Sequence, residues 1–252
     1  MTPPIALQLY SLRAETARDF SGTLKKVAGL GYAGVETANF TGTTIPAAAE
    51  LFKDLGLTVC AAHLPLPVGE RQAEVLESMQ ALDCRELVCA SQPRELFQTA
   101  EGVRKACAAL NEASAVARAH GLRLHYHNHW FEFQVLDGRQ AFDRLRDCLA
   151  PEVYFEVDTY WAQTAGVDPA ALLAKLGPRA PLLHIKDGPA VQGQPMTALG
   201  EGVMNIPGLL QASAGQAEWL IVELDECATD MFEAVRRSYD FLVAKGLGHG
   251  KN

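Results

Sequence analysis

The sequence predicts one closed (β/α)8 barrel spanning residues 1–252. Three observations carry that prediction. Short apolar runs alternate with longer amphipathic runs along the whole chain, and such alternation implies a parallel sheet with crossover helices. Eight such units fit into 252 residues with no linker-like or low-complexity stretch between them; single barrels commonly run to about 250 residues. No Gly-x-Gly-x-x-Gly turn follows the first strand, as a doubly wound dinucleotide-binding sheet would want.

The first strand is read at residues 5–10. A helix follows over 20–30, where Leu24, Val27, Ala28 and Leu30 recur at helical spacing and Gly31 offers a left-handed stop. A short strand at 34–37 comes next. The pattern then repeats as a helix over 45–55, Gly56 and a strand at 58–63. A helix over 72–82 leads to a strand at 86–89. A long helix over 102–120 meets Gly121 and a histidine-rich strand at 123–129. A helix over 139–149 precedes a strand at 154–158, and a helix over 169–176 precedes a strand at 182–186. The last unit is a helix over 206–214, a strand at 219–223 and a closing helix over 231–245.

Composition narrows the class. Lys and Arg number 22 against 30 Asp and Glu, a net charge of −8 with no basic run, which argues against a nucleic-acid partner. Met1-Thr2-Pro3-Pro4 opens the chain without a basic segment or a long apolar stretch, so neither a signal peptide nor a membrane span is expected, and the cytoplasm is the expected setting. Cys60, Cys84, Cys89, Cys107, Cys148 and Cys227 form no Cys-x-x-Cys pair and no common zinc spacing; all are expected to be reduced, structural thiols. Association into a homo-oligomer stays open.

Chemistry gathers where strands end. Residues 124–133 read Leu-His-Tyr-His-Asn-His-Trp-Phe-Glu-Phe. In an extended segment, His125, His127 and His129 share one face. Three imidazoles on one face suit a polar pocket, a metal site or a sugar site better than core packing. In such barrels the active site lies at the C-terminal ends of the strands. The polar residues there are Gln8 and Tyr10, Glu36, His63, the group His127, His129 and Glu132, then Asp158, His184 with Lys186, and Glu223 with Asp225; strand four ends instead in Cys89-Ala90-Ser91. Ionisable groups on buried parallel strands are costly unless paired or bound to something. Carboxylates and imidazoles converging on one mouth call for a cation. The mixed donor set suits Mn2+, Fe2+, Co2+ or Zn2+, with Mg2+ also open, and its carboxylate share favours Mn2+.

These residues resemble the sugar phosphate isomerase/epimerase family of the xylose-isomerase-like TIM-barrel superfamily. The resemblance rests on Leu7-Gln8-Leu9-Tyr10-Ser11-Leu12, Gly34-Val35-Glu36, Tyr126-His127-Asn128-His129 with Phe131-Glu132-Phe133, Val157-Asp158-Thr159-Tyr160-Trp161, His184-Ile185-Lys186-Asp187-Gly188, Gly200-Glu201-Gly202 and Val222-Glu223-Leu224-Asp225. It implies one divalent ion held by residues of strands five to eight, with Asp158, His184 and Glu223 matching directly. At strand five many members carry Glu-Asn-His where this chain has His127-Asn128-His129. Either His127 takes the ligand position or Glu132 reaches back from the following loop; Glu132 is preferred because a second carboxylate could also serve as a base.

The family's chemistry is proton transfer next to a carbonyl. The resemblance then makes Glu132 and Glu223 the proton-handling pair and lets Lys186 stabilise an enediolate. Glu36, His63, His127 and His129 would hold sugar hydroxyls, and Trp161 and Trp130 would offer flat faces to a ring. The expected protein is a metal-dependent isomerase or epimerase of a keto-sugar or polyol without a phosphate, since no phosphate cradle is visible. An inosose-type dehydratase is the nearest alternative, followed by a sugar-binding barrel without turnover. A DNA-repair endonuclease of the superfamily would need more zinc ligands than are found.

Overall fold

The computed structural model describes residues 2–251. Among them, eight parallel strands close a barrel: β1 (Ile5–Gln8), β2 (Gly34–Thr37), β3 (Thr58–His63), β4 (Glu86–Cys89), β5 (Arg123–His127), β6 (Val153–Asp158), β7 (Leu182–Ile185) and β8 (Trp219–Val222). Each strand pairs with its neighbours in sequence, and β1 closes on β8 through Ile5 opposite Leu220, Ala6 opposite Ile221 and Leu7 opposite Val222. The predicted fold class is the observed one.

Local chemistry sets the connecting helices. Asp19 accepts from the Gly22 amide at the start of Phe20–Leu30, and Gly31 (φ 101°) ends that helix in the left-handed region. Thr44, Thr99, Asp168 and Asp230 cap later helices in the same way, and Pro169 follows its cap at the first helical position. The helices bury an apolar shell against the outer face of the sheet, including Leu7, Val35, Leu124, Tyr126, Phe155, Leu183 and Val222. Inside the barrel a smaller cluster contains Ala6, Cys60, Val88, Leu182 and Ile221. Strand side chains alternate, so two residues further along β1, β7 and β8 the same inward face carries Gln8, His184 and Glu223. The barrel is thus apolar below and ionisable at its mouth.

Three departures from expectation matter for the site. The first strand stops at Gln8, and a 3-10 turn at Leu9–Leu12 leads to a short helix, Arg13–Arg18. The fifth strand ends at His127 rather than His129, because Asn128 turns aside: its amide donates to the Asp158 carbonyl (3.1 Å) and accepts from the Asp158 amide (3.1 Å). A short helix, Thr159–Thr164, starts directly on Asp158.

Cys107 and Cys148 form a disulfide, with Cα atoms 6.2 Å apart, between helices Ala100–Ala119 and Ala141–Cys148. This corrects the expectation that all six cysteines are reduced. Their spacing of 41 residues gave no signal; side-by-side packing of the two helices creates the pairing. Cys60, Cys84, Cys89 and Cys227 are free. No helix among the described residues is long and apolar enough to cross a membrane.

Candidate active site

Ionisable side chains converge at the C-terminal end of the barrel in two layers. The deeper layer centres on Glu156 of β6. Its Oε2 lies 2.8 Å from His63 Nε2, 2.9 Å from His127 Nδ1 and 3.2 Å from His184 Nε2. Glu36 joins it: its Oε2 is 2.6 Å from His184 Nε2 and accepts from Gln8 Nε2 at 2.7 Å. The upper layer holds the other nitrogens of the same two imidazoles. His127 Nε2 is 3.8 Å from Asp158 Oδ2, and His184 Nδ1 is 2.9 Å from Glu223 Oε2. Lys186 Nζ donates to Asp225 Oδ2 (2.6 Å) and also stands 2.6 Å from Glu223 Oε2 and 2.9 Å from Asp158 Oδ2.

Burial and charge pull against each other throughout. Burial disfavours the charged form of His184, but Glu156, Glu36 and Glu223 outweigh it and hold the imidazole protonated well above its usual range. His63 likewise rises to about 10 against burial, through Glu36 and Glu156. Burial pushes His127 well below its usual range despite its bond to Glu156, so this ring is neutral and suited to ligation. Burial and the neighbouring Glu156 raise Glu36. Burial alone would raise Glu156 too, but His184 and His63 hold it well below. Of the two carboxyls, Glu36 is therefore the one that holds a proton more tightly. Lys186 is held charged against burial by Asp158, Asp225 and Glu223.

Four groups of the upper layer, His127, Asp158, His184 and Glu223, each present a ligand atom within 4.8 Å of one another, and all four are buried. Asp158 Oδ2 has no hydrogen bond among the described residues; Lys186 stands close to it but off the direction a hydrogen bond needs. A buried carboxylate oxygen that accepts no hydrogen bond, amid imidazole and carboxylate donors, fits a divalent transition metal.

Of the predicted residues, Asp158, His184, Glu223, His127, Glu36, His63 and Lys186 come together. Glu132 does not join them. It lies on the 3-10 turn Phe131–Phe133, where its Oε1 accepts from the Tyr126 hydroxyl (2.8 Å) and its Oε2 from the His129 amide (2.9 Å). Tyr126 alternates with His127 and points to the outer face of β5, so this bond holds Glu132 away from the mouth. His129 lines the mouth with Tyr10, His63, Gln92, Glu223 and Asp225, around a cavity of about 620 Å3. Trp161 packs on Trp130 (4.7 Å between rings) and under Lys186 (5.4 Å). Sequence reading missed Glu156, whose signal was its place two residues before Asp158 on the same strand face.

The sequence profile described as xylose isomerase-like TIM barrel matches residues 24–244. No protein of curated function matches the sequence. Among solved structures, a sugar phosphate isomerase/epimerase from Parabacteroides distasonis superposes with a TM-score of 0.82 at 24% identity, over 98% of this chain and 96% of the other. A D-psicose 3-epimerase follows at 0.69 and 17%, covering 98% and 100% of the two chains. A protein described as the probable 3-DHS dehydratase AsbF of Bacillus anthracis gives 0.70 and 13%, covering 95% and 98%. At these identities the likeness is one of fold.

Proposed function

The chain belongs to the xylose isomerase-like TIM barrel family, and from that premise we propose that it is a divalent-metal-dependent sugar isomerase or epimerase, transferring a proton next to the carbonyl of a keto-sugar or polyol. The observation that carries this reading is the convergence of His127, Asp158, His184 and Glu223 at the barrel mouth. These four side chains would hold the ion, with Mn2+ favoured by the carboxylate share. When bound, such an ion polarises the substrate carbonyl and its neighbouring hydroxyl.

The chain's own groups handle the proton. Glu223 is kept ionised against burial by Lys186 and His184, so its carboxylate is ready to accept a proton from carbon. His129 follows β5 and Glu223 follows β8, three strands apart, and both line the cavity. His129 returns a proton to the opposite side of the resulting enediolate, and Lys186 supplies positive charge where that oxygen anion develops. Glu132, through the His129 amide, fixes the imidazole rather than touching substrate. Trp161 and Trp130 pack on each other beside Lys186, outside the residues that line the cavity. Asp225 engages Lys186, and Glu36, Glu156 and Glu223 engage the rings of His63 and His184, so these cationic groups are already paired and the mouth favours an uncharged polyol over a sugar phosphate. A dehydratase would begin with the same proton removal and part from an epimerase only in losing a β-hydroxyl as water.

The Mn2+-loaded protein should incorporate solvent deuterium into a keto-sugar in D2O, with no loss of water, and the chelated protein should not. Absence of exchange across a panel of keto-sugars, with metal bound, would overturn the reading; a dehydrated product would move it to the lyase. His127→Gln should lose the ion. Glu132→Gln should keep it and slow turnover through a misplaced His129. The reverse pattern would return the strand-five ligand to Glu132.

A further inference from the structure

Two overlapping sets of metal-ligating side chains meet at the mouth: His127, Asp158, His184 and Glu223 above, and His63, His127, Glu156 and His184 below. We propose that the lower set is no second ion site. Glu156, backed by Glu36 and His63, is instead a positioning residue that turns the His127 and His184 rings so that their mouth-facing nitrogens are presented to an ion in the upper set. The inference rests on the metal reading of that upper set.

Spacing distinguishes the two sets at the His127–Asp158 pair. Two ligands of one ion, each bound at about 2.1 Å in tetrahedral geometry, stand roughly 3.4 Å apart. In the lower set one oxygen, Glu156 Oε2, meets all three rings, at 2.8 Å from His63, 2.9 Å from His127 and 3.2 Å from His184. Those are hydrogen-bond lengths, with a proton between the atoms. In the upper set His127 Nε2 and Asp158 Oδ2 stand 3.8 Å apart, the spacing of two groups around a common ion, whereas His184 Nδ1 and Glu223 Oε2, at 2.9 Å, share a hydrogen bond that an ion would replace.

Imidazole chemistry then assigns the roles. A neutral ring carries one N–H and one lone pair. His127 gives its Nδ1–H to Glu156, which leaves the Nε2 lone pair toward Asp158. His184 turns Nε2 to Glu36 and Glu156 and Nδ1 to Glu223, so an ion bound at Nδ1 displaces the proton that this nitrogen shares with Glu223. A carboxylate behind a ligating histidine fixes its tautomer and raises its basicity. The register supports this: Glu156 and Asp158 share the inward face of β6, one layer apart, and Glu156 is fully buried and outside the residues that line the cavity. It therefore acts on substrate only through the rings it holds.

The test is a Co2+ titration of metal-free parent, Glu156→Gln, Glu156→Asp and Asp158→Asn, followed by visible d–d absorption, with thermal melting of each metal-free protein alongside. The parent should bind one ion per chain. Glu156→Gln should still bind one, roughly 10- to 100-fold more weakly and with a shifted absorption band, while Glu156→Asp recovers most of the affinity. If Glu156→Gln fails to fold, Glu156→Asp carries the test through a smaller loss in the same direction. Two ions in the parent and one, bound with full affinity, in Glu156→Gln would make Glu156 a ligand. An altered melting temperature with unchanged Co2+ affinity would make its role purely structural. Either result overturns the proposal. A parent that binds no ion, or an Asp158→Asn variant that binds as the parent does, overturns the metal reading itself, and is read in a separate arm.

Discussion

Asp158→Asn should yield a folded barrel that no longer retains its divalent ion. Asp158 does two jobs with two oxygens. Oδ1 accepts from the Trp161 amide at 2.8 Å and caps the helix that starts at Thr159, and Oδ2 faces the proposed ion. Asparagine caps a helix about as well as aspartate, so the backbone should hold. The charge at Oδ2 is gone, and with it the attraction for a cation. We expect metal affinity to fall by at least about a hundredfold, beyond the loss seen when only a ligand's support is removed. Proton exchange should fall roughly a thousandfold, since an ion's Lewis-acid contribution of about 4 kcal/mol corresponds to that factor in rate. Equilibrium dialysis with Mn2+ and deuterium uptake check the two arms. Parent-like metal occupancy would remove Asp158 from the site.

Lys186→Met should produce the largest change in stability. The ammonium is buried and stands within 2.9 Å of Asp158, Glu223 and Asp225. Removing it leaves carboxylates facing one another in a desolvated space. Breaking a buried charge cluster from one side costs about 3–5 kcal/mol, which for a chain of this size lowers the melting temperature by roughly 10 °C. A divalent ion would neutralise the same carboxylates. Saturating Mn2+ should therefore raise the melting temperature of the variant more than that of the parent, by linkage of binding to folding. A metal-free variant that melts with the parent would show that the ammonium does not balance these carboxylates.

The barrel was legible because its signal is repeated: apolar strands, capped helices and a glycine after several of them. Asp158, His184 and Glu223 were legible because ionisable groups at the ends of buried strands are unusual. Glu156 was not, because it sits inside a strand and reads as part of it until His127 and His63 are seen around it. The placing of His127 and Glu132 relative to the mouth depends on geometry beyond pattern. Strand alternation sends Tyr126 outward, and its hydroxyl draws Glu132 to the same side. The early end of β5 at His127 depends on the Asn128 side chain pairing with the Asp158 backbone, a long-range contact with no local signature. The Cys107–Cys148 pairing likewise depends on how two helices pack.

Where the ion binds decides which side chains form the metal centre of this barrel. Anomalous diffraction from crystals soaked in Mn2+ measures this directly. The predicted result is one peak per chain bounded by His127, Asp158, His184 and Glu223, with Glu132 still bonded to Tyr126. A lone peak among His63, Glu36 and Glu156, a peak at Glu132, or an ion-free mouth in a crystal saturated with Mn2+ would contradict it.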